Sequence, residues 1–336
     1  MNDKTVCVDI HDVKITSLSR IRGQPQVIKQ LLLYLSAYFN IRSTAKDTIP
    51  PFGPVLLCGP PGTGKTMMAR DIHLELGNLK FVEVNGVTLN RKQELYAILV
   101  NADENTTLFI DEAQGLNPTV QYILLTALSE RVVRVPATVS SVGPCTIPLA
   151  NFTIILATTH EYLLQDALRD RMRIYCRFDY YTVEDLAEIV RQYADALGWQ
   201  YESDEVLRII AQRAKGTPRQ ALHRNLQTCW HVAKSVGHDT IALEDAYKAF
   251  EYLQIDELGL DQPDRSYLQI LTDYGPTPLG VLSSRLSLPN LTIQRVVEPY
   301  LIKEGFITKG RSSLRMITDK GLKHIRAHRC SQEEGG

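Results

Sequence analysis

The stretch Gly59-Pro60-Pro61-Gly62-Thr63-Gly64-Lys65-Thr66 has the spacing G-x-x-x-x-G-K-[ST]. Its glycines let backbone N–H groups curl round phosphate oxygens, and a helix opening at Lys65 would add the partial positive charge of its N-terminus. Lys65 is placed to bridge the β- and γ-phosphates of a nucleotide, and Thr66 to hold Mg²⁺. A chance glycine-rich turn is the competing account. The apolar strand pattern before the motif and the helical pattern after it supply the context that the phosphate reading needs.

Four more groups extend this chemistry. Leu108-Phe-Ile-Asp111-Glu112 is a buried strand pattern ending in two acids. Asp111 would ligate Mg²⁺, directly or through water, and Glu112 would orient and deprotonate an attacking water. Such an Asp-Glu pair is otherwise a common helix cap. Phe152–Thr159 ends in hydroxyls. Thr159 or its neighbour Thr158 could bond the lytic water or the γ-phosphate, although threonine is also ordinary strand filler. Arg169 and Arg171 in Ala-Leu-Arg-Asp-Arg-Met-Arg could stabilise charge on a transferring phosphoryl group, if need be from a neighbouring subunit. Cations at a helix end are the plainer alternative. In Lys215-Gly-Thr-Pro218-Arg219, Pro218 suits a helix start, where a missing N–H does no harm. Arg219 on that first turn is placed to reach a nucleotide, or is a surface arginine.

The elements that must position these groups alternate. Strand patterns at Val55–Cys58, Phe81–Val84, Thr107–Ile110, Phe152–Ala157 and Ile174–Phe178 are separated by helical periodicity at Thr66–Leu76, Arg91–Val100, Pro118–Glu130 and Leu163–Met172. Alternation of this kind predicts an α/β fold, a parallel sheet with helices on both faces. Another helical pattern covers Val27–Phe39, followed by a loop over Arg42–Thr48. Between Arg131 and Pro148 two short β-type runs flank Ser140-Ser141-Val142-Gly143, which predicts a protruding hairpin. From Val183 to about Leu253 the pattern is wholly helical. Residues 254–262 form an acidic, Gly-containing joint, and Asp264–Arg326 then reads helix, helix, helix, then strands at Phe306–Lys309 and Leu314–Thr318, the order of a winged helix-turn-helix. The expected division is therefore 1–180, a nucleotide-binding domain; 181–256, a helical lid; 257–328, a winged helix; and 329–336, a disordered tail.

Composition bounds the partners. The net charge is −1, so a nucleic-acid surface must be local. Residues 303–329 supply it: eight lysines and arginines stand there against Glu304 and Asp319. Lys309, Arg311 and Arg315 are the expected contacts to DNA phosphates, with the helix Thr292–Lys303 and the tip Gly310–Ser313 as the contact elements. A basic face also serves solubility alone. Cysteines at 7, 58, 145, 176, 229 and 330 form no CxxC pair, which fits free thiols in a reducing cytoplasm. No apolar run reaches the roughly 20 residues of a membrane span, and the first residues lack a signal-peptide core.

Phosphate loop, acidic strand end, hydroxyl strand end, arginine pair and helix-start arginine arrive in the order of an AAA+ ATPase. The chain resembles more narrowly the RuvB family of branch-migration motors. The likeness rests on Leu149-Ala-Asn-Phe-Thr-Ile-Ile-Leu-Ala-Thr-Thr159, Leu168-Arg-Asp-Arg171, Gly216-Thr-Pro-Arg219, Gly259-Leu-Asp-Gln-Pro-Asp-Arg265, Val297-Glu-Pro-Tyr-Leu-Ile302 with Gly305-Phe306, and Arg22-Gly-Gln24. The resemblance implies ATP and Mg²⁺ at Lys65, Thr66, Asp111, Glu112, Thr159 and Arg219, and Arg171 ahead of Arg169 as the finger. It also implies Tyr180 and Pro218 flanking the adenine, with Ile21 and Arg22 nearby. It further implies a hexameric ring, a RuvA-like partner docked on the 131–148 hairpin, and duplex DNA tracked by the winged helix. The chain departs from the family's usual residues at Ala113-Gln114 (Ile-His), His160 (Arg), Met172-Arg173 (Phe-Gly) and the wing Thr308–Arg315. A divergent member fits these departures. A loader or initiator that switches on ATP without processive movement, and a regulator without turnover, are the other readings that this combination of domains allows.

Overall fold

The computed structural model describes residue 18 and residues 21–44, 50–135, 144–310 and 313–333, with side chains to residue 327. The expected hairpin tip, wing-tip residue Arg311 and last residues of the tail lie outside them. The chain divides into two compact units, residues 1–197 with 216–219, and residues 198–215 with 220–336.

The first unit begins with α1 (Pro25–Thr44) and then alternates strand and helix. The succession is β1 (Val55–Cys58), α2 (Lys65–Leu76), β2 (Lys80–Asn85), α3 (Lys92–Val100), β3 (Thr106–Asp111) and α4 (Pro118–Glu130). The antiparallel pair β4 (Val132–Val135) and β5 (Cys145–Pro148) follows, then β6 (Thr153–Thr158), the single turn α5 (Asp166–Arg169), β7 (Ile174–Arg177) and α6 (Val183–Leu197). Five strands form one parallel sheet in the order β2-β3-β6-β1-β7. Period-two alternation sorts its side chains. Leu56, Leu108, Ile110, Ile154 and Leu156 enter one core, whereas Val55, Leu57, Phe109, Ile155 and Ala157 enter the other. Helices cover both faces, so the strands read as continuous apolar runs.

One helix expectation fails. Leu163–Met172 is a 3₁₀ turn (Glu161–Leu163), an extended link and then the four-residue α5. Buried Gln121 causes the break: its Oε1 accepts the Gln165 N–H at 2.8 Å while its Nε2 donates to Leu116 O at 2.9 Å. Beyond α5, the N–H groups of Arg173 and Ile174 both donate to Pro54 O, which draws the chain into β7. α1 also runs past the expected loop start, to Thr44.

The second unit holds β8 (Gln200–Tyr201), α7 (Asp204–Gln212), a π-helical stretch (Gln220–Leu226), α8 (Gln227–Ser235), β9 (Thr240–Ile241) and α9 (Leu243–Tyr252). The winged helix follows: α10 (Gln262–Tyr274), α11 (Leu279–Leu286), α12 (Asn290–Thr292), a second π stretch (Ile293–Val297), α13 (Glu298–Lys303), β10 (Ile307–Lys309), β11 (Arg315–Ile317) and α14 (Asp319–Glu333). Tyr267, Leu268, Leu282, Ile293, Leu301 and Phe306 form its core. Pro299 has no N–H for the carbonyl four residues earlier, and the helix widens just before it. α14 reaches Glu333, so helix continues into the segment expected to be a disordered tail. No helix among the described residues is long and apolar enough to cross a membrane.

Candidate active site

Parallel strands bring their carboxyl ends to one edge, where a doubly wound sheet binds its ligand. Gly59 leaves β1 with its N–H on Thr158 O at 3.2 Å. Its φ is +149°, and a Cβ there would stand 2.5 Å from Phe178 O, so only glycine fits. Gly62, at φ +77°, would bring a Cβ within 3.0 Å of Arg219 Cβ. Thr63 and Gly64 complete the turn into α2, whose first N–H groups have no intrahelical acceptor. The outcome is a cradle of main-chain donors at a positive helix end.

Lys65 is buried, and its Nζ donates to Gly59 O at 2.9 Å and Pro60 O at 2.8 Å. Burial lowers its ammonium from the usual lysine value, against the pull of Glu112 and Asp111. A γ-phosphate would replace two loop carbonyls as its partner. Thr66 Oγ1 donates to Asp111 Oδ2 at 2.9 Å. A hydroxyl and a carboxylate brought together in this way are the hard oxygen donors that Mg²⁺ takes, so the two side chains fit that ion.

Glu112 follows Asp111 in a left-handed conformation, φ 49°. Gly86 makes room for it: a Cβ at residue 86 would lie 2.5 Å from Glu112 O. The Glu112 carboxylate accepts a hydrogen bond from Gln114 Nε2, and Thr159 Oγ1 stands 3.5 Å from the same oxygen. Thr159 Oγ1 is also 2.8 Å from His160 Nδ1. The expected acid pair and sensor hydroxyl therefore meet, through a glutamine that motif reading passes over.

The arginines divide. Arg219 lies against the loop, its N–H donating to Gly62 O at 3.3 Å while its side chain is exposed. Pro218 precedes it, half-buried. Arg169 is engaged with Asp166. Arg171 is exposed and has no ion pair or hydrogen bond from its side chain among the described residues. Ile21 is buried, and Arg22 stands 3.8 Å from Glu188. Gln24 holds residue 179 reciprocally: Asp179 N donates to Gln24 Oε1 at 3.1 Å and Gln24 Nε2 donates to Asp179 O. Tyr180 is half-buried. Its neighbour Tyr181, which sequence reading misses, touches the loop itself, donating its hydroxyl to Thr63 O at 2.9 Å.

In the winged helix one expected DNA contact is corrected. Arg315 is 4% exposed, and its Nε lies 2.8 Å from Glu298 Oε1. Tyr267 OH donates to the same oxygen at 3.2 Å. Glu298 is fully buried, so this arginine neutralises a core carboxylate and is not presented to phosphate. Removing either partner would strand a buried charge. Lys309 caps the cluster from outside, 3.0 Å from Glu298 Oε2 and 47% exposed. Arg311 is outside the described residues. Arg295, on the outward side of the helix leading to Lys303, is exposed. It is a further cation of this domain, upstream of the basic run 303–329.

Family models match the chain in three consecutive segments. They are the Holliday junction DNA helicase RuvB P-loop domain over 13–178, the RuvB AAA lid domain over 181–256, and the RuvB C-terminal winged helix domain over 257–326. Among solved structures, a point mutant of Thermotoga maritima RuvB is 32% identical, with 94% of this chain and 99% of that one covered and a TM-score of 0.80. The structure described as the Thermotoga maritima RuvB Holliday junction branch migration motor is 33% identical over 93% of this chain and 98% of that one, with a TM-score of 0.78.

Proposed function

The chain belongs to the RuvB family, and on that premise we propose that it is an ATP-driven ring motor that moves duplex DNA to migrate four-way junctions. The observation that carries this is the joining of Thr66 with Asp111, and of Glu112 with Thr159, at the mouth of one phosphate loop. In this reading the loop amides and Lys65 hold the triphosphate. Thr66 and Asp111 would hold Mg²⁺, which would supply charge neutralisation to the phosphates. Glu112 takes a proton from the attacking water as that water's oxygen bonds to the γ-phosphorus, and the leaving oxygen departs with ADP. Thr159 orients the water, and Arg219 reports the γ-phosphate to the segment that carries it.

The exposed Arg171 completes the site of a neighbouring subunit, which makes assembly a condition of turnover and supports a closed ring, a hexamer by family likeness. The β4–β5 pair is the stem on which a RuvA-like partner docks. A cytoplasmic setting agrees with buried thiols at Cys58, Cys176 and Cys229, each pushed up to about 12, chiefly by burial.

The winged helix supplies the DNA contact through cations that are exposed, Arg295 and Lys309. Contacts of this kind are made to phosphate and ignore sequence, as junction movement requires. Duplex binding by the Arg295→Ala/Lys309→Ala variant should weaken about equally on unrelated sequences. Its slope of log K against log salt should shrink by roughly 1 for each phosphate that is no longer neutralised. Fluorescence anisotropy across a salt series measures both. Wild-type affinity and slope in the double variant would remove the winged helix from the DNA path.

A further inference from the structure

Gln114 sits on the 3₁₀ turn Ala113–Gly115 directly after the acidic pair, and its side chain crosses from the end of β3 to the end of β6. Its Nε2 donates to Glu112 Oε2 and to Thr159 Oγ1 at 3.1 Å. Its Oε1 accepts from Thr158 Oγ1 at 2.6 Å and from Thr159 N at 3.4 Å. A primary amide has two N–H donors and two acceptor lone pairs, and all four are used here. The orientation of the amide follows from its partners. A backbone N–H can only donate and an ionised carboxylate can only accept, so Oε1 must face Thr159 N and Nε2 must face Glu112.

We propose that Gln114 is a positioning residue for ATP hydrolysis: its amide fixes Glu112 and Thr159 relative to each other and leaves Glu112 Oε1 to take the proton of the attacking water. The proposal rests on the reading of Glu112 as general base. Two parallel strands end at these residues, and each end is followed by an irregular turn. Without a cross-link, carboxylate and hydroxyl would each sample several rotamers, and the water would find its two partners correctly spaced only part of the time. Gln114 removes that freedom at the cost of one ordered side chain. The neighbouring Thr158 hydroxyl, already pinned by donating to Gln114, also accepts the His160 N–H at 3.1 Å, so the clamp includes the start of the turn after β6.

The test is steady-state ATP hydrolysis by the assembled full-length protein with Gln114→Ala, Gln114→Glu and Gln114→His, beside Glu112→Gln. Gln114→Ala should lower kcat about 10-fold or more with KM for ATP within about twofold, since the clamp touches the water's partners and not the phosphate loop. Gln114→Glu keeps the shape and replaces the donor by a second carboxylate. It should lower kcat further, because a second carboxylate cannot donate to ionised Glu112. Gln114→His, which can still donate to Glu112, should recover part of the loss. Wild-type kcat in both Gln114→Ala and Gln114→Glu would overturn the positioning role. Full activity in Glu112→Gln would instead overturn the general-base reading beneath it, and the two failures are read from different variants. A folding defect in Gln114→Ala would show as lost nucleotide binding, and the decision then rests on the isosteric Gln114→Glu.

Discussion

Glu112→Gln should lower ATP turnover by about 10²- to 10⁴-fold, the range expected when a positioned general base is removed, while nucleotide binding persists. Glutamine keeps the volume of the side chain and offers Oε1 to the Gln114 amide, so the turn after β3 has no reason to collapse. Lys65, Thr66 and Asp111, which hold the phosphates and Mg²⁺ in the proposed mechanism, are untouched. The variant should therefore bind ATP and stop. Phosphate release gives the turnover and a fluorescent nucleotide gives the affinity. Turnover within a few-fold of wild type would mean that the water is activated elsewhere. Lost binding would mean that Glu112 is part of the cradle and not of the chemistry.

Arg171→Ala should cost about 10³- to 10⁵-fold in turnover, the effect of an absent arginine finger. The two candidate arginines differ in what they already hold. Arg169 is occupied by Asp166, whereas Arg171 is exposed at the turn after α5 with no side-chain partner among the described residues. Arg169→Ala should accordingly do less. A finger acting between subunits has a signature that no local defect imitates. A Lys65→Ala subunit cannot use its own nucleotide, yet it still presents Arg171 to its neighbour. Mixed with Arg171→Ala subunits, which keep an intact phosphate loop, it should restore part of the activity that each lacks alone. Mixed rings demonstrated by mass and still inactive would place Arg171 outside the neighbouring site.

Much of this site is legible in the chain because its chemistry is local in sequence. The phosphate loop needs glycines and a lysine at fixed spacing, and Val55–Cys58 reads as a buried strand before it. The acids close a run of apolar residues, and after a phosphate loop that pattern favours catalysis over the helix cap that such a pair otherwise makes. What the sequence hides is set by contacts distant along it. Arg315 reads as one more cation of a basic wing, and only packing against Glu298 and Tyr267 reveals it as a core ion pair. Tyr180 and Tyr181 are adjacent and alike, and the direction of the chain after β7 decides which one reaches Thr63. The expected helix over Leu163–Met172 has adequate periodicity, but the side-chain amide of Gln121 on α4 captures its backbone at Gln165. Gln114 reads in the sequence as a departure from family pattern without a role. Its role emerges only when β6 is beside β3, 44 residues away along the chain from Gln114 to Thr158. In each case the signal is tertiary, and local propensity has no access to it.

In the proposed function this chain converts ATP hydrolysis into movement of DNA strands at a junction. The most direct measurement is the resolution of a labelled synthetic four-way junction with homologous arms into duplex products by the purified chain, with and without a RuvA-like junction-binding protein, in ATP and in a non-hydrolysable analogue. Products should accumulate with ATP, be absent with the analogue, be absent with Lys65→Ala, and increase when the junction-binding protein is added. Junction and nucleotide binding of normal strength, with ATP consumed and the four-way junction left intact in every case, would contradict it and point to a loader that switches on ATP without moving DNA.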